Sequence, residues 1–239
     1  MVLSTFSDFG IEPASVKAHA EAARCVERGA DDVRLSSNIR ELDGFFDGGL
    51  PYGAVVEWGV PFGLGGREVV LAFLSKTPKD VWTLWAGSKP QFTVYPPAWH
   101  ARGVNLERIR FTCSSRPVEE LKPALLDPFF KVIVFDAPRH FTDDDCAFVA
   151  RGARARGQLV LILRDFLLGQ RRGNVWARYR VNCWCPSPDR LSYSRPRENA
   201  ALQSRLFQNR RSLYLRSVRG LASRQIIYDP PDLLAGFAI

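Results

Sequence analysis

The chain is poor in the residues that usually carry chemistry, having one methionine and three histidines in 239 residues. No apolar run approaches ~18 residues, which excludes a membrane-spanning helix on sequence grounds. The histidines, His19, His100 and His140, stand at no partner spacing from a serine or cysteine, and no nucleophile elbow occurs. Covalent hydrolysis of the triad type therefore has no support. Five cysteines, at 25, 113, 146, 183 and 185, are odd in number and follow no framework spacing. Reduced thiols and a cytoplasmic location are the expectation. Cys183-Trp184-Cys185 is the one close pair, and it lacks both the two-residue spacer and the second pair of a zinc site, so no metal is expected. The first residues, Met1 to Phe6, carry neither a cationic leader nor an apolar core, and no secretory signal is read there. Neither an internal repeat nor a low-complexity block is visible.

With 46% hydrophobic residues, the chain is long and apolar enough to bury a full core as one domain with an appendage. Its net charge of +8 is unevenly placed. Residues 1–150 hold 16 basic and 20 acidic side chains, whereas residues 151–239 hold 17 basic and 5 acidic. All 17 of those cations are arginine, which suits bidentate contact with phosphate or carboxylate and stacking on flat rings. The last third is a candidate surface for nucleic acid or an acidic partner, against the alternative of a merely solvated arginine face.

Periodicity divides the chain into three parts. Residues 1–32 form an N-terminal arm, with Val16, Ala20, Ala23 and Val26 at helical spacing in an amphipathic helix over 11–29. Residues 33–170 form a core of alternating strands and helices. Its strands are Gly53 to Trp58, Val81 to Trp85, Ile109 to Thr112, Val132 to Phe135 and Leu159 to Leu163. The clearest helix, 142–155, has Thr142 as N-cap, three aspartates in its first turn and arginines in its last. Pro117 starts a helix that Pro123 should break. Strands alternating with helices predict an α/β fold with a mainly parallel central sheet. Residues 171–239 form an arginine-rich extension packed on the core. There, Val175 to Val181 and Arg211 to Val218 alternate apolar residues with arginine, the pattern of half-buried antiparallel strands.

The core opens on an ordered set of motifs. Leu42-Asp43 is followed by the turn Gly48-Gly49-Leu50-Pro51-Tyr52-Gly53, then by a strand carrying Glu57, then by Gly59 to Arg67. This set resembles the lead-in of a RecA-like ATPase core. A phosphate loop requires two glycines framing four residues, then lysine and a hydroxyl residue. Aligned on Glu57 and Pro61, Val60 takes the first glycine's place and Gly65 the second's. Gly66 stands for the lysine and Arg67 for the hydroxyl. The degenerate loop thus comprises Gly59, Pro61, Gly63, Gly65, Gly66 and Arg67, with Asp136 at the position where working members keep a Mg²⁺-holding aspartate. The water-orienting acid of recombinases would fall near Gln91, and no acid occurs between Asp80 and Glu107. No catalytic residue, no cofactor and no nucleotide hydrolysis are expected. Restoring Gly66→Lys together with Arg67→Thr is the sequence-level route to regaining nucleotide affinity.

The segment Tyr95 to Ile109, with Trp82 and Trp85 on the second strand, resembles the ImuA family, RecA-like accessory factors of bacterial damage-induced mutagenesis. The resemblance spans about residues 33–165. It implies a non-hydrolytic factor of the SOS response that supports translesion synthesis or modulates RecA. Its implied partners are an ImuB-like polymerase-related protein, an error-prone polymerase subunit, RecA itself and single-stranded DNA. A weak DNA-dependent ATPase and a SulA-like cell-division inhibitor are the competing readings. The arginines placed for DNA or partner contact are Arg171, Arg172, Arg178, Arg180, Arg210, Arg211, Arg216 and Arg219. In an alternating strand Arg178 and Arg180 would share one outward row.

Overall fold

A computed structural model describes residues 33–88, 94–169, 173–185, 212–222 and 225–230. The expected arm at 1–32, the Gln91 neighbourhood, and Arg171, Arg172, Arg210 and Arg211 lie outside the described residues.

Two short strands, β1 (Arg34–Leu35) and β2 (Leu50–Pro51), pair antiparallel around helix α1 (Arg40–Phe45). Asp43 ties this lead-in together. Its Oδ1 accepts from the Ser37 amide at 2.7 Å and the Ser37 hydroxyl at 2.8 Å, and its Oδ2 from the Ser36 hydroxyl at 2.5 Å. Gly49 closes the knot at φ +123°, where a Cβ would stand 2.5 Å from the Leu35 carbonyl oxygen, so no other residue fits.

The main sheet follows: β3 (Ala54–Gly59), helix α2 (Arg67–Leu74), β4 (Trp82–Gly87), helix α3 (Pro96–Ala101), β5 (Ile109–Cys113), helices α4 (Pro117–Glu120) and α5 (Lys122–Leu126), β6 (Phe130–Asp136), helix α6 (Asp143–Arg156), β7 (Leu159–Arg164), β8 (Tyr179–Trp184), β9 (Leu213–Arg219) and β10 (Gln225–Tyr228). The strand order is β10-β9-β8-β3-β7-β6-β4-β5. β8, β3, β7, β6, β4 and β5 are mutually parallel, and β9 runs antiparallel to both its neighbours. The α/β class and the mostly parallel sheet expected from the sequence are therefore present.

The pleat sends alternate residues to two cores. Val56, Trp58, Trp85, Val134, Leu161 and Val181 face one layer, where Phe46 packs on Trp58 at 5.2 Å and on Phe73 of α2 at 5.5 Å. Val55, Leu84, Ile133, Phe135, Val160 and Ile162 face the other layer, covered by Val118, Leu125 and the α6 residues Val149 and Ala153. Central strands buried on both faces explain the near-continuous apolar runs of β6 and β7.

Helix α6 has the expected caps: Thr142 and Asp145 form a reciprocal capping box, and Gly157 ends the helix in the left-handed conformation at φ +60°. The break near Pro123 is also present, since α4 stops at Glu120 and α5 restarts at Lys122 with the proline in its first turn.

The C-terminal part departs from expectation in one respect. β8 and β9 pair antiparallel as read, but β8 begins at Tyr179 rather than Val175 and lies parallel to β3 on its other side. The late start goes with the Arg219 guanidinium. Its Nη2 donates to the carbonyls of Asn174 (3.3 Å), Val175 (2.9 Å) and Ala177 (2.5 Å), holding these residues in a turn. Among the described residues, no helix is long and apolar enough to cross a membrane.

Candidate functional site

β3 delivers its C-terminal end to the middle of the sheet edge, and the glycine-rich turn leaves from there. The Val60 amide donates to the Arg164 carbonyl at 2.8 Å, fixing the turn's start to β7. Gly63 (φ +77°) and Gly65 (φ +74°) then supply the left-handed residues that reverse the chain before α2. The turn is drawn toward β8, because the Leu64 carbonyl accepts from the Cys185 amide at 2.7 Å. Gly66 is the tightest point. A Cβ there would lie 2.5 Å from the Cys183 carbonyl oxygen and 2.8 Å from Val60 Cγ1. A lysine cannot replace it without displacing backbone, so the Gly66→Lys, Arg67→Thr restoration anticipated from sequence is sterically barred.

Arg67 is the first residue of α2, and its side chain folds back across the turn. Nε and Nη2 both donate to Asp136 Oδ1, at 2.9 and 2.6 Å, and Nη1 donates to the Val60 carbonyl at 2.9 Å. The guanidinium carbon lies 4.0 Å from the centroid of the Phe62 ring. A cation at a helix N-terminus opposes the helix dipole, and Asp136 supplies the compensating charge. The Asp136 side chain is 5% exposed and that of Arg67 21%. An arginine has no lone pair to offer a metal. The two side chains that the sequence alignment set at the hydroxyl and metal-acid positions, Arg67 and Asp136, are therefore bonded to each other.

Beyond Asp136 the backbone is unusual. Ala137 is 5% exposed and sits at φ +50°, a conformation that costs a non-glycine residue about 1 kcal/mol or more. It is held by its amide, which donates to the Leu163 carbonyl at 2.8 Å. Ser88, at the end of β4, completes this edge: its amide donates to the Asp136 carbonyl and its hydroxyl accepts from the Arg139 amide at 3.2 Å. Neither Ala137 nor Ser88 was singled out by sequence, and nothing in their local pattern marks them.

A second charged cluster crosses the sheet on the α6 side. Glu57, 3% exposed, accepts from Arg164 Nε on one neighbouring strand at 3.0 Å and from Arg180 Nε on the other at 2.8 Å. Arg180 is 4% exposed, and its Nη1 reaches the Gly169 carbonyl. The outward row expected of Arg178 and Arg180 does not form. Arg178 is exposed just before β8, whereas Arg180 is spent on a buried carboxylate. Arg219, likewise, is engaged with backbone carbonyls, and Arg216 is exposed on β9. The signal for Glu57 was present in the sequence, since a carboxylate inside the run Ala54 to Trp58 demands a buried cation.

Cysteines 113, 146, 183 and 185 are free thiols. Burial pushes the Cys146 thiol up to about 12, and the deeper Cys183 thiol is raised further. His100 and His140 are exposed. Among the described residues, no group of three or more His, Cys, Asp or Glu is placed to hold a metal.

Comparison with protein-family models and with curated proteins gave no match.

Proposed function

We propose that this chain is a RecA-like accessory factor that works by binding rather than by nucleotide hydrolysis, in the cytoplasmic response to DNA damage. The observation that carries this reading is the Arg67–Asp136 pair. Hydrolysis in such a core needs a lysine on the β and γ phosphates, a hydroxyl on Mg²⁺ and a free acid beside it. Here Gly66 admits no side chain, and Arg67 occupies the acid. The RecA-like assignment draws support from the placement of the motifs. The glycine-rich turn leaves the central strand β3, Asp136 ends β6 two strands away on the same edge, and the Gly48 to Gly53 turn feeds β3.

A core of this kind keeps the surfaces by which its relatives assemble while losing the chemistry that drives them. Its proposed partners are an ImuB-like polymerase-related protein, an error-prone polymerase subunit, RecA and single-stranded DNA, in support of translesion synthesis. A phosphate-release assay with and without single-stranded DNA tests the reading directly. Steady release that disappears in Asp136→Ala would replace it with a DNA-dependent ATPase. Pull-down from damaged cells tests the partners, and recovery of septum proteins alone would favour a division inhibitor.

A further inference from the structure

A shallow groove of about 250 Å³ lies between α6 and the Asn174–Ala177 turn, lined by Ala150, Arg151, Arg154, Ala155 and Trp176. We propose that this groove binds single-stranded nucleic acid, with Trp176 stacking on a base and Arg151 and Arg154 holding the adjoining phosphates.

Trp176 is 47% exposed. Of the chain's six tryptophans, three are buried (58, 85 and 99) and two are half-buried (82 and 184), so only Trp176 offers an open ring face. The backbone that carries that ring is held in place. The Trp176 amide donates to Asn174 Oδ1 at 2.9 Å, Arg219 grips the carbonyls on either side, and Ala177 is sunk at 2% exposure into the core under α6. The half of the ring left in water adds nothing to the core, and the turn that carries it is fixed by hydrogen bonds on both sides. It is a platform ordered in advance, and a ligand that stacks on it loses less entropy.

The charges match the platform. Arg151 and Arg154 are exposed, sit three residues apart on one face of α6, and make no hydrogen bond or ion pair among the described residues. Arg156, by contrast, is spent on the carbonyls of Leu126 and Gly152. The acids of α6, Asp143 to Asp145, lie at the opposite end of the helix, about 9 Å or more up its axis from Arg151. Ala150 and Ala155 line the groove with short, unbranched side chains. An acidic peptide would satisfy the arginines but has no use for a bare, fixed indole. A nucleic acid strand uses both, since every base has a π-face and every link a phosphate. The inference rests on the proposed role in DNA damage only for the source of the strand.

The test uses the full chain and a labelled oligothymidylate of about fifteen nucleotides, read by anisotropy and by quenching of intrinsic tryptophan fluorescence. The expected result is quenching on binding, with affinity weakened roughly tenfold in Trp176→Ala and largely restored in Trp176→Phe. Arg151→Gln with Arg154→Gln should flatten the log–log salt slope by about 1.4. Thermal melts of the arginine variants should match the parent, as these positions are exposed, and Trp176→Phe, which keeps a ring, controls for any packing lost in Trp176→Ala. Unchanged affinity in both Trp176→Ala and the double arginine variant would overturn the site. Equal quenching by a polyglutamate peptide would overturn the choice of nucleic acid. An absence of oligonucleotide binding would overturn the inference and remove single-stranded DNA from the proposed partners, but not the proposed protein partners, which the pull-down judges separately.

Discussion

The Arg67 guanidinium donates through both Nε and Nη2 to one oxygen of Asp136, Oδ1. The pair bridges the start of α2 and the end of β6, and its two residues are 69 apart in the chain. Removing one partner of a buried pair strands the other, and that penalty exceeds the net worth of the pair itself. Arg67→Ala should lower stability by about 2–3 kcal/mol, less than for a fully buried pair because the arginine keeps some solvent exposure. Arg67→Met with Asp136→Asn should recover most of the loss. Urea denaturation of Arg67→Met, Asp136→Asn and the double variant measures this coupling, and strict additivity would show that the pair is not energetically coupled.

Gly66 sets a separate limit on the same turn. With the Cys183 carbonyl 2.5 Å from a Cβ, Gly66→Ala should cost about 1–3 kcal/mol although both residues are small. Gly63 has nothing within 4 Å of its Cβ, but its φ of +77° makes alanine strained there, at about 1 kcal/mol. Gly66→Lys should express poorly or melt early and should show no ATP binding by calorimetry. A stable Gly66→Lys variant with micromolar ATP affinity would contradict this geometry.

Much of the core was legible because its signals are local. The apolar runs of β6 and β7, the caps of α6 and the prolines at 117 and 123 each act within a few residues, and each appears where read. The C-terminal segment was less legible because its fate depends on partners far along the chain. Arg180 looks like any arginine in an alternating strand until Glu57, 123 residues away, is seen beside it. Likewise, residues 175–178 alternate as a strand would, yet Arg219 holds their first carbonyls in a turn. Motif spacing placed the glycine-rich turn between β3 and α2, but the Arg67–Asp136 bond required the sheet order that brings β3 and β6 to one edge.

The buried thiols give a pH test of the packing. Unfolded cysteine ionises near pH ~8.5, whereas Cys146 in the folded chain holds its proton up to about 12. Below pH ~8.5 both states are protonated and the stabilisation is fully present. Between there and about 12 the unfolded chain loses protons that the folded chain keeps, so stability falls as pH rises. The slope is at most about 1.4 kcal/mol per pH unit for each such thiol, and Cys146→Ala should flatten it. Mass spectrometry after iodoacetamide at mildly alkaline pH should find Cys146 and Cys183 unmodified in the native chain and alkylated after denaturation. Rapid native labelling of Cys183 would contradict its burial on β8.

The two central arginines of the expected DNA-binding row should separate cleanly in experiment. Arg180 lies 4% exposed against Glu57, with the backbone of Gly173 so close that a Cβ there would overlap its guanidinium. Arg180→Ala leaves Glu57 with Arg164 alone, in a site that water scarcely reaches, and should cost about 3–5 kcal/mol. Gly173→Ala should lower stability as well, because the added methyl displaces the guanidinium rather than removing it. Arg178 and Arg216 are exposed, and their replacement by alanine should change stability by no more than about 0.5 kcal/mol. A fall in DNA affinity in Arg178→Ala or Arg216→Ala then reports a side chain that touches the strand. A fall in Arg180→Ala should track unfolded protein and reverse on cooling well below the variant's melting point. Circular dichroism melts run beside the anisotropy titrations distinguish the two cases. A fully folded Arg180→Ala that fails to bind DNA at every temperature would instead restore Arg180 to the binding surface.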